Sequence, residues 1–160
     1  MSAWVDGKLE LKCSLDILRK AIINIKPEWE GHLLIDPDGN IPMYRFNHTR
    51  AYEGKGGDKT VHLCIPGSGH PDVQTPPGRG SHNDWGFKRT ADGKWEVTFA
   101  DFGLKDAKKL ETQIKGEIAI MKAKAIAIMR GFEIITQEDN NEEKSIDIRV
   151  DSTVYQDLVN

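Results

Sequence analysis

The side chains best suited to binding or chemistry are concentrated in one glycine-rich stretch of this 160-residue chain. From Arg45 to Lys94 there are eight Lys or Arg and five Asp or Glu, a local balance of +3 in a chain whose net charge is −3. Four of the five histidines also lie there. Guanidinium groups and free backbone N–H groups suit phosphate, and aromatic faces suit bases. The stretch therefore predicts a site for an anionic, nucleotide-like ligand.

Six residues of this stretch form the predicted ligand site. The arginines would donate charge-assisted hydrogen bonds, and the histidines, with an ordinary pKa of about 6.5, would donate as neutral rings. Trp85 opens a strand after the loop and would present an aromatic wall. The competing interpretation buries Trp85 in the core and leaves the arginines solvated. Lys109, on the exposed side of a later helix, is the control position, where a substitution should not affect the predicted site. The predicted ligand-binding residues are Arg45, His48, Arg50, Arg79, His82 and Trp85.

Enzymatic interpretations of the same stretch lack their motifs. Residues 54–60 resemble a P-loop, but Glu53 and Asp58 stand where that motif needs glycine. The histidine spacings of 14, 8 and 12 residues match no compact zinc motif. Ser68 lacks the strand-to-helix turn of a hydrolase nucleophile.

We therefore expect a non-enzymatic module that takes up an anionic small molecule or a partner protein, without catalytic residues, metal or cofactor. Two alternatives stay open. One is a hydrolase or metalloenzyme built on the loop histidines. The other is a structural or assembly protein without a small ligand.

Composition favours an ordinary globular protein. Hydrophobic residues make up 38% and charged residues 29% of the chain, unlike disordered sequences. No stretch approaches the roughly 20 apolar residues of a membrane span, and no apolar signal region opens the chain. The negative net charge argues against nucleic acid as a partner. Cys13 and Cys64 match no zinc or redox spacing. We expect a reduced, cytoplasmic protein, in the host cytoplasm if the gene is viral.

The chain is predicted to form a single α+β domain over residues 1–160. Its first part, residues 8–44, predicts a strand, a helix and a hairpin. Ser14 is placed to cap the helix and Pro27 to end it. The sequence Asp-Pro-Asp-Gly-Asn at 36–40 has the chemistry of a tight turn and predicts the hairpin.

The rest of the chain consists of an irregular stretch, a stretch with regular apolar spacing and a tail. Residues 45–83 predict a long Gly/Pro/His-rich loop with one strand at 60–65. Residues 84–151 predict a hairpin around Asp92-Gly93, a long helix and a second hairpin. Residues 152–160 are predicted to form a C-terminal tail.

The apolar periodicities converge on one core beneath two helices. Two helices on one face of an antiparallel sheet is an α+β solution, and a ferredoxin-like arrangement is the natural candidate. The second half of the long helix, Ile118–Met129, is apolar around much of its circumference, so we expect it to be covered on more than one side and to suit a homo-oligomer contact. The predicted core residues are Leu15, Leu18, Ile22, Trp95, Val97, Phe99, Leu110, Ile114, Ile118 and Met121.

The C-terminal half resembles a known family. The pattern is Asp-Trp-Gly-Phe-Lys at 84–88, the Asp-Gly hairpin, a long helix, Gly-Phe-Glu-Ile at 131–134 and a last strand at 146–150. It resembles the hypothetical chloroplast reading frame family of the Ycf thirty-five type, a domain of unknown function, over residues 84–151. The run at 33–40 is more similar to bacterial and phage members. The resemblance implies an α+β fold, no established activity and no catalytic residues.

Overall fold

The computed structural model describes residues 4–44, 59–68, 70, 73–79, 83–100 and 104–130. These residues form seven strands and two α-helices, with a 3-10 turn at Pro27–Trp29. The elements in chain order are β1 (Trp4–Lys12), α1 (Leu15–Ile25), β2 (Leu34–Ile35), β3 (Ile41–Pro42), β4 (Thr60–Val61), β5 (Leu63–Ile65), β6 (Trp85–Arg89), β7 (Lys94–Ala100) and α2 (Leu104–Met129).

Five of the described strands form one sheet, in the order β1-β7-β6-β5-β2, with every neighbouring pair antiparallel. β6 and β7 are the predicted hairpin, and Gly93 adopts a φ of +82° in its turn, a conformation that glycine favours. β1 joins β7 from the far end of the chain, with Val5 opposite Phe99. The predicted α+β class, with two helices and a mostly antiparallel sheet, is confirmed.

The turn at 36–40 does not connect a hairpin. β2 pairs with β5 in the larger sheet, whereas β3 pairs with β4 in a separate two-stranded sheet. The turn itself follows its residues, because the Asp36 carboxylate accepts the N–H groups of Asp38 and Asn40 and Gly39 takes a φ of +73°. The predicted hairpin is therefore wrong, since the chain passes from one sheet to the other at this turn.

The predicted strand at 60–65 is also divided between the two sheets. It breaks at His62, where β4 ends and β5 begins. The break leaves no backbone group of His62 unpaired, because its N–H donates to the Phe87 carbonyl and its carbonyl accepts from the Asp36 N–H, both at 2.9 Å. One continuous strand was the wrong prediction because its two halves have different partners.

Both helices pack on the larger sheet and share one core with it. Ser14 caps α1 as predicted, its hydroxyl accepting from the Ile17 N–H at 3.2 Å, and the helix ends at Ile25, with Lys26 as its C-cap before Pro27. All ten predicted core residues belong to this core, with Leu15 and Met121 partly buried at its margin and the others buried.

The opposite face of the sheet is covered by β3 and β4. Met43, Val61 and Cys64 form a second buried cluster there. A Cβ atom added to Gly86 would lie 2.7 Å from a Val61 methyl carbon, closer than packed atoms approach. Gly86 is therefore what lets the small sheet lie against the large one.

Some predictions concern residues outside the described ranges. A ferredoxin-like sheet needs a strand after α2, and the predicted hairpin of 132–138 with 145–151, which would supply one, lies outside the described residues. Ile120 and Met129 on α2 are 49% and 53% exposed, and a homo-oligomer through Ile118–Met129 stays a prediction. Within the described part of the chain, no helix is long and apolar enough to cross a membrane.

Candidate functional site

The structure describes two of the six predicted site residues, Arg79 and Trp85. They are in contact: the central guanidinium carbon of Arg79 lies 4.1 Å from the centroid of the Trp85 ring, well within the range of a cation–π interaction. The other four, Arg45, His48, Arg50 and His82, lie outside the described residues.

Arg79 is a buried arginine that ties two backbone segments together. Its side chain is 8% exposed. One terminal nitrogen donates to the Ile65 carbonyl at 2.8 Å, and the other donates to the Asn83 carbonyl. The guanidinium thus bridges the end of β5 and the approach to β6. Solvation of this arginine, the competing interpretation, is wrong, and its main contacts are with the fold itself.

Trp85 is both a core residue and a wall of a cavity. It is 6% exposed, belongs to the main core and pairs with Ile65 across β5 and β6. Its indole nitrogen is buried and has no hydrogen-bond partner among the described residues. The two interpretations of Trp85 from the sequence, core and aromatic wall, therefore describe different sides of one residue.

The cavity that Trp85 lines has a volume of about 260 Å³ and lies between the end of α1 and the first half of α2; we call it the α1–α2 cavity. Three of its lining residues are cationic and one is anionic, so its lining carries a net charge of +2. The lining residues are Lys26, Trp29, Gly78, Arg79, Trp85, Asp106, Lys109, Leu110 and Gln113.

The wall on the α1 side is built by the 3-10 turn. Pro27 ends α1 and starts this turn, which places Lys26 and Trp29 at the cavity. The Trp29 indole N–H donates to the Pro77 carbonyl at 2.8 Å, which fixes the turn against the loop that carries Arg79. The Lys26 ammonium lies 5.9 Å from the Trp29 ring centroid. A tryptophan two residues after a helix-ending proline is the sequence signal for this wall, and the predicted site lacks it.

The wall on the α2 side is one face of the helix. Asp106, Lys109, Leu110 and Gln113 recur at spacings of three, one and three residues, which places them on the same side. Leu110 is buried, whereas the three polar side chains are exposed. Within the described residues, neither Asp106 nor Lys109 has a hydrogen bond or an ion pair through its side chain. Lys109 is exposed as predicted, yet it lines the cavity, so it cannot serve as a neutral reference.

A second group of polar side chains, which we call the Asp84 cluster, is enclosed beside Arg79. Asp84 is fully buried, and its two carboxylate oxygens accept the N–H groups of Gly67 at 2.8 Å and Tyr44 at 2.9 Å. The His70 ring nitrogen Nε2 lies 3.9 Å from Asp84, and the same ring meets Tyr44 edge-on at 4.8 Å. The cluster consists of Tyr44, Cys64, His70 and Asp84, and it joins three separate segments of the chain.

The Asp84 cluster contains a thiol, a histidine and a carboxylate, but its environment is wrong for nucleophilic catalysis. Burial raises the pKa of the Cys64 thiol well above its ordinary value, and the neighbouring Asp84 carboxylate raises it further. The thiol therefore stays protonated, whereas a nucleophilic cysteine needs a lowered pKa and access to substrate. Cys64 and Asp84 are both completely buried.

A second cavity, of about 360 Å³, lies beside the turn between β6 and β7. Lys8 and Lys94 face three carboxylates there, so the lining is negative, and Lys94 is already paired with Glu10 at 3.1 Å. That hydrogen bond raises the pKa of Lys94. This cavity does not suit an anion.

His62 is the loop histidine with the clearest role. Its ring nitrogen Nδ1 accepts the Arg89 backbone N–H at 3.1 Å, which requires a neutral ring. Burial lowers the pKa of His62, and the positive charges of Lys88 and Arg89 lower it further. In the part of the chain that the structure describes, no three His, Cys, Asp or Glu side chains converge as a metal site requires.

No protein-family model, no curated protein and no solved structure matches the chain. The resemblance to the chloroplast reading frame family therefore stays a prediction from the motifs of residues 84–151.

Proposed function

We propose that the protein is a non-enzymatic binding module that takes up an anionic small molecule in the α1–α2 cavity. The observation that carries the proposal is the lining of this cavity, where three cations face a single carboxylate. Lys26 and Lys109 reach it from opposite walls, and no ion pair engages either one within the described residues. Cationic groups held beside a concave surface recognise phosphate and carboxylate groups.

The size and chemistry of the cavity narrow the ligand. Its volume of about 260 Å³ lies just below the roughly 300–1,000 Å³ of typical ligand pockets, so it suits a compact metabolite. Trp29 and Trp85 supply aromatic wall area for the uncharged part of such a molecule. A nucleotide-like or sugar-phosphate anion meets these requirements. Among the described residues that line the cavity there is no Ser, Cys or His, so this part of the lining does not favour a hydrolase.

The three cations of the lining have different roles, and the sequence predicts the arginines as the hydrogen-bond donors to the ligand. Arg79 uses both terminal nitrogens on backbone carbonyls, so it contributes its charge and its support of Trp85. Lys26 and Lys109 are the donors that a ligand would meet. The phage or prophage origin implied by the resemblance, and sequestration of a host signal by such a module, belong to this proposal as its biological setting.

Calorimetric titration and thermal shift with inorganic phosphate, ribose 5-phosphate and nucleoside monophosphates test the proposal. A ligand at 100 times its Kd stabilises the native state by about 2.7 kcal/mol, so a binder shows as a rise in Tm. We expect the double variant K26A/K109A to lose this rise.

Lys108→Ala is the matched control, because Lys108 is an exposed lysine on the same helix that does not line the cavity. It should retain the full rise in Tm. Equal responses from the double variant and the control would overturn the cavity as the anion site. No response of the wild-type protein to any of the anions would overturn the function.

A further inference from the structure

Asp106 is the one acidic residue among the described residues that line the α1–α2 cavity, and its position is at odds with simple anion binding. A carboxylate beside the cations repels a bare phosphate and so lowers its affinity. Asp106 also lies in the first turn of α2, where the helix dipole favours a negative charge. The dipole explains why an aspartate is tolerated there, but it does not explain why this side chain faces the cavity.

Pairing with Lys109 does not cancel the charge of Asp106 and so does not remove its repulsion of a phosphate. Lys109 lies one turn further along α2, at the i, i+3 spacing that often forms ion pairs. No such ion pair is made, whereas the same helix does pair Lys115 with Glu111 at 3.5 Å. Among the described residues no group occupies either oxygen of the Asp106 carboxylate, and Asp106 lines the cavity, so its oxygens can serve as acceptors there.

We infer that Asp106 is a specificity-determining residue that selects anions carrying hydroxyl groups close to their charged group. This inference rests on the proposed function. A carboxylate only accepts hydrogen bonds, and it accepts two hydroxyl groups at once. In a sugar phosphate, Lys26 and Lys109 hold the phosphate while Asp106 accepts from the sugar hydroxyls. Asp106 offsets its repulsion of the phosphate only when those hydroxyls are present.

This arrangement selects by rejection as well as by attraction. Inorganic phosphate and small alkyl phosphates meet the repulsion without the compensating hydrogen bonds, so an abundant anion is excluded from the site. Hydroxyl-bearing phosphates of the same charge are admitted. The ligand class is therefore a phosphorylated sugar, free or as the ribose phosphate part of a nucleotide.

The test compares two probes of the same charge, ribose 5-phosphate and methyl phosphate, on the wild type and on Asp106→Asn. We expect wild-type protein to bind ribose 5-phosphate at least about tenfold more tightly, the effect of one charge-assisted hydrogen bond. In Asp106→Asn the two affinities should move in opposite directions. Ribose 5-phosphate should bind about tenfold more weakly, and methyl phosphate should bind more tightly because the repulsion has gone.

Glu30→Gln is the control for a general change in charge, since Glu30 is an exposed acid near the α1 wall and does not line the cavity. It should leave the ratio of the two affinities unchanged. If both probes bind Asp106→Asn more tightly, Asp106 acts only as a repelling charge and the inference is overturned while the anion site stands. If neither probe binds the wild-type protein, the proposed function and the inference both fail.

Discussion

The two polar groups on either side of Arg79 differ in how their charges are compensated. In the Asp84 cluster the carboxylate is fully buried and backbone N–H groups occupy both of its oxygens. Around the α1–α2 cavity, Lys109 and Asp106 are exposed, and within the described residues they have no hydrogen-bonded partner. A polar group whose partners are all supplied by the fold organises the chain. A polar group without such partners, placed at a cavity, is available to a ligand.

Arg79 belongs to both regions and connects them. Its guanidinium fixes the backbone at Ile65 and Asn83, next to Asp84, and its flat face supports Trp85 in the cavity wall. A disturbance of the Asp84 cluster is therefore transmitted to the cavity. We expect a change at Asp106 or Lys109 to leave the Asp84 cluster intact, because within the described residues neither side chain makes a hydrogen bond.

The largest expected effect comes from Asp84→Ala. The substitution leaves the N–H groups of Gly67 and Tyr44 without their acceptor, at about 1–3 kcal/mol for each buried donor, and the free energy of unfolding should fall by about 3–5 kcal/mol. Urea denaturation measures the loss. Asp106→Ala is the matched control, because an exposed carboxylate in the first turn of a helix should change stability by less than about 1 kcal/mol. Similar losses in the two variants would remove the distinction between the two regions.

A smaller effect is expected from Arg79→Lys. A lysine keeps the charge but lacks the planar fork that reaches two carbonyl groups at once. We expect a loss of about 1–3 kcal/mol in the free energy of unfolding, together with a change in the fluorescence of the protein as Trp85 loses its stacked guanidinium. Lys108→Arg, an exchange of the same two residue types at an exposed position, should have neither effect. Unchanged stability in Arg79→Lys would show that charge alone holds the two segments.

The smallest expected effect concerns His62 and pH. Its pKa is lowered in the folded protein, so the unfolded chain takes up its proton first as the pH falls through about 6.5. Stability contributed by neutral His62 is therefore present above that pH and is lost below it. Because the ring is partly exposed, we expect only about a few tenths of a kcal/mol.

Denaturation of the wild type and of His62→Gln at pH 7.5 and 5.5 measures this contribution. The wild type should lose more stability than the variant between the two pH values. The opposite order would mean that the Arg89 N–H is not held by a neutral ring.

The parts of the fold that local residue patterns determine could be predicted from the sequence. The cap at Ser14, the glycine turn at Gly93 and the buried face of α2 all follow from neighbouring residues. The partners of β2 and β3 could not be predicted, because a turn sequence does not specify which sheet receives the strand that follows it. The break at His62 depends on the same choice.

The candidate site was predicted only in part for a similar reason. The basic, glycine-rich stretch predicts Arg79 and Trp85 as site residues, and both line the cavity. Its other walls come from residues distant in sequence, as the Trp29–Pro77 hydrogen bond across 48 residues illustrates. The sequence shows how many charges a loop carries, but the approach of Lys26 to Lys109 depends on how α1 packs against α2.

The pairing of β1 with β7 has a consequence for biosynthesis. The hydrogen bond from the Trp95 indole to the Cys13 carbonyl joins residues 82 positions apart, and that from the Thr98 hydroxyl to Asp6 joins residues 92 positions apart. Closing loops of this length is slow compared with forming a hairpin or a helix. At a synthesis rate of roughly 5–20 residues per second, β1 leaves the ribosome several seconds before β7. During that interval β1 has no β7 backbone to pair with, so this edge of the sheet forms only after β7 has emerged.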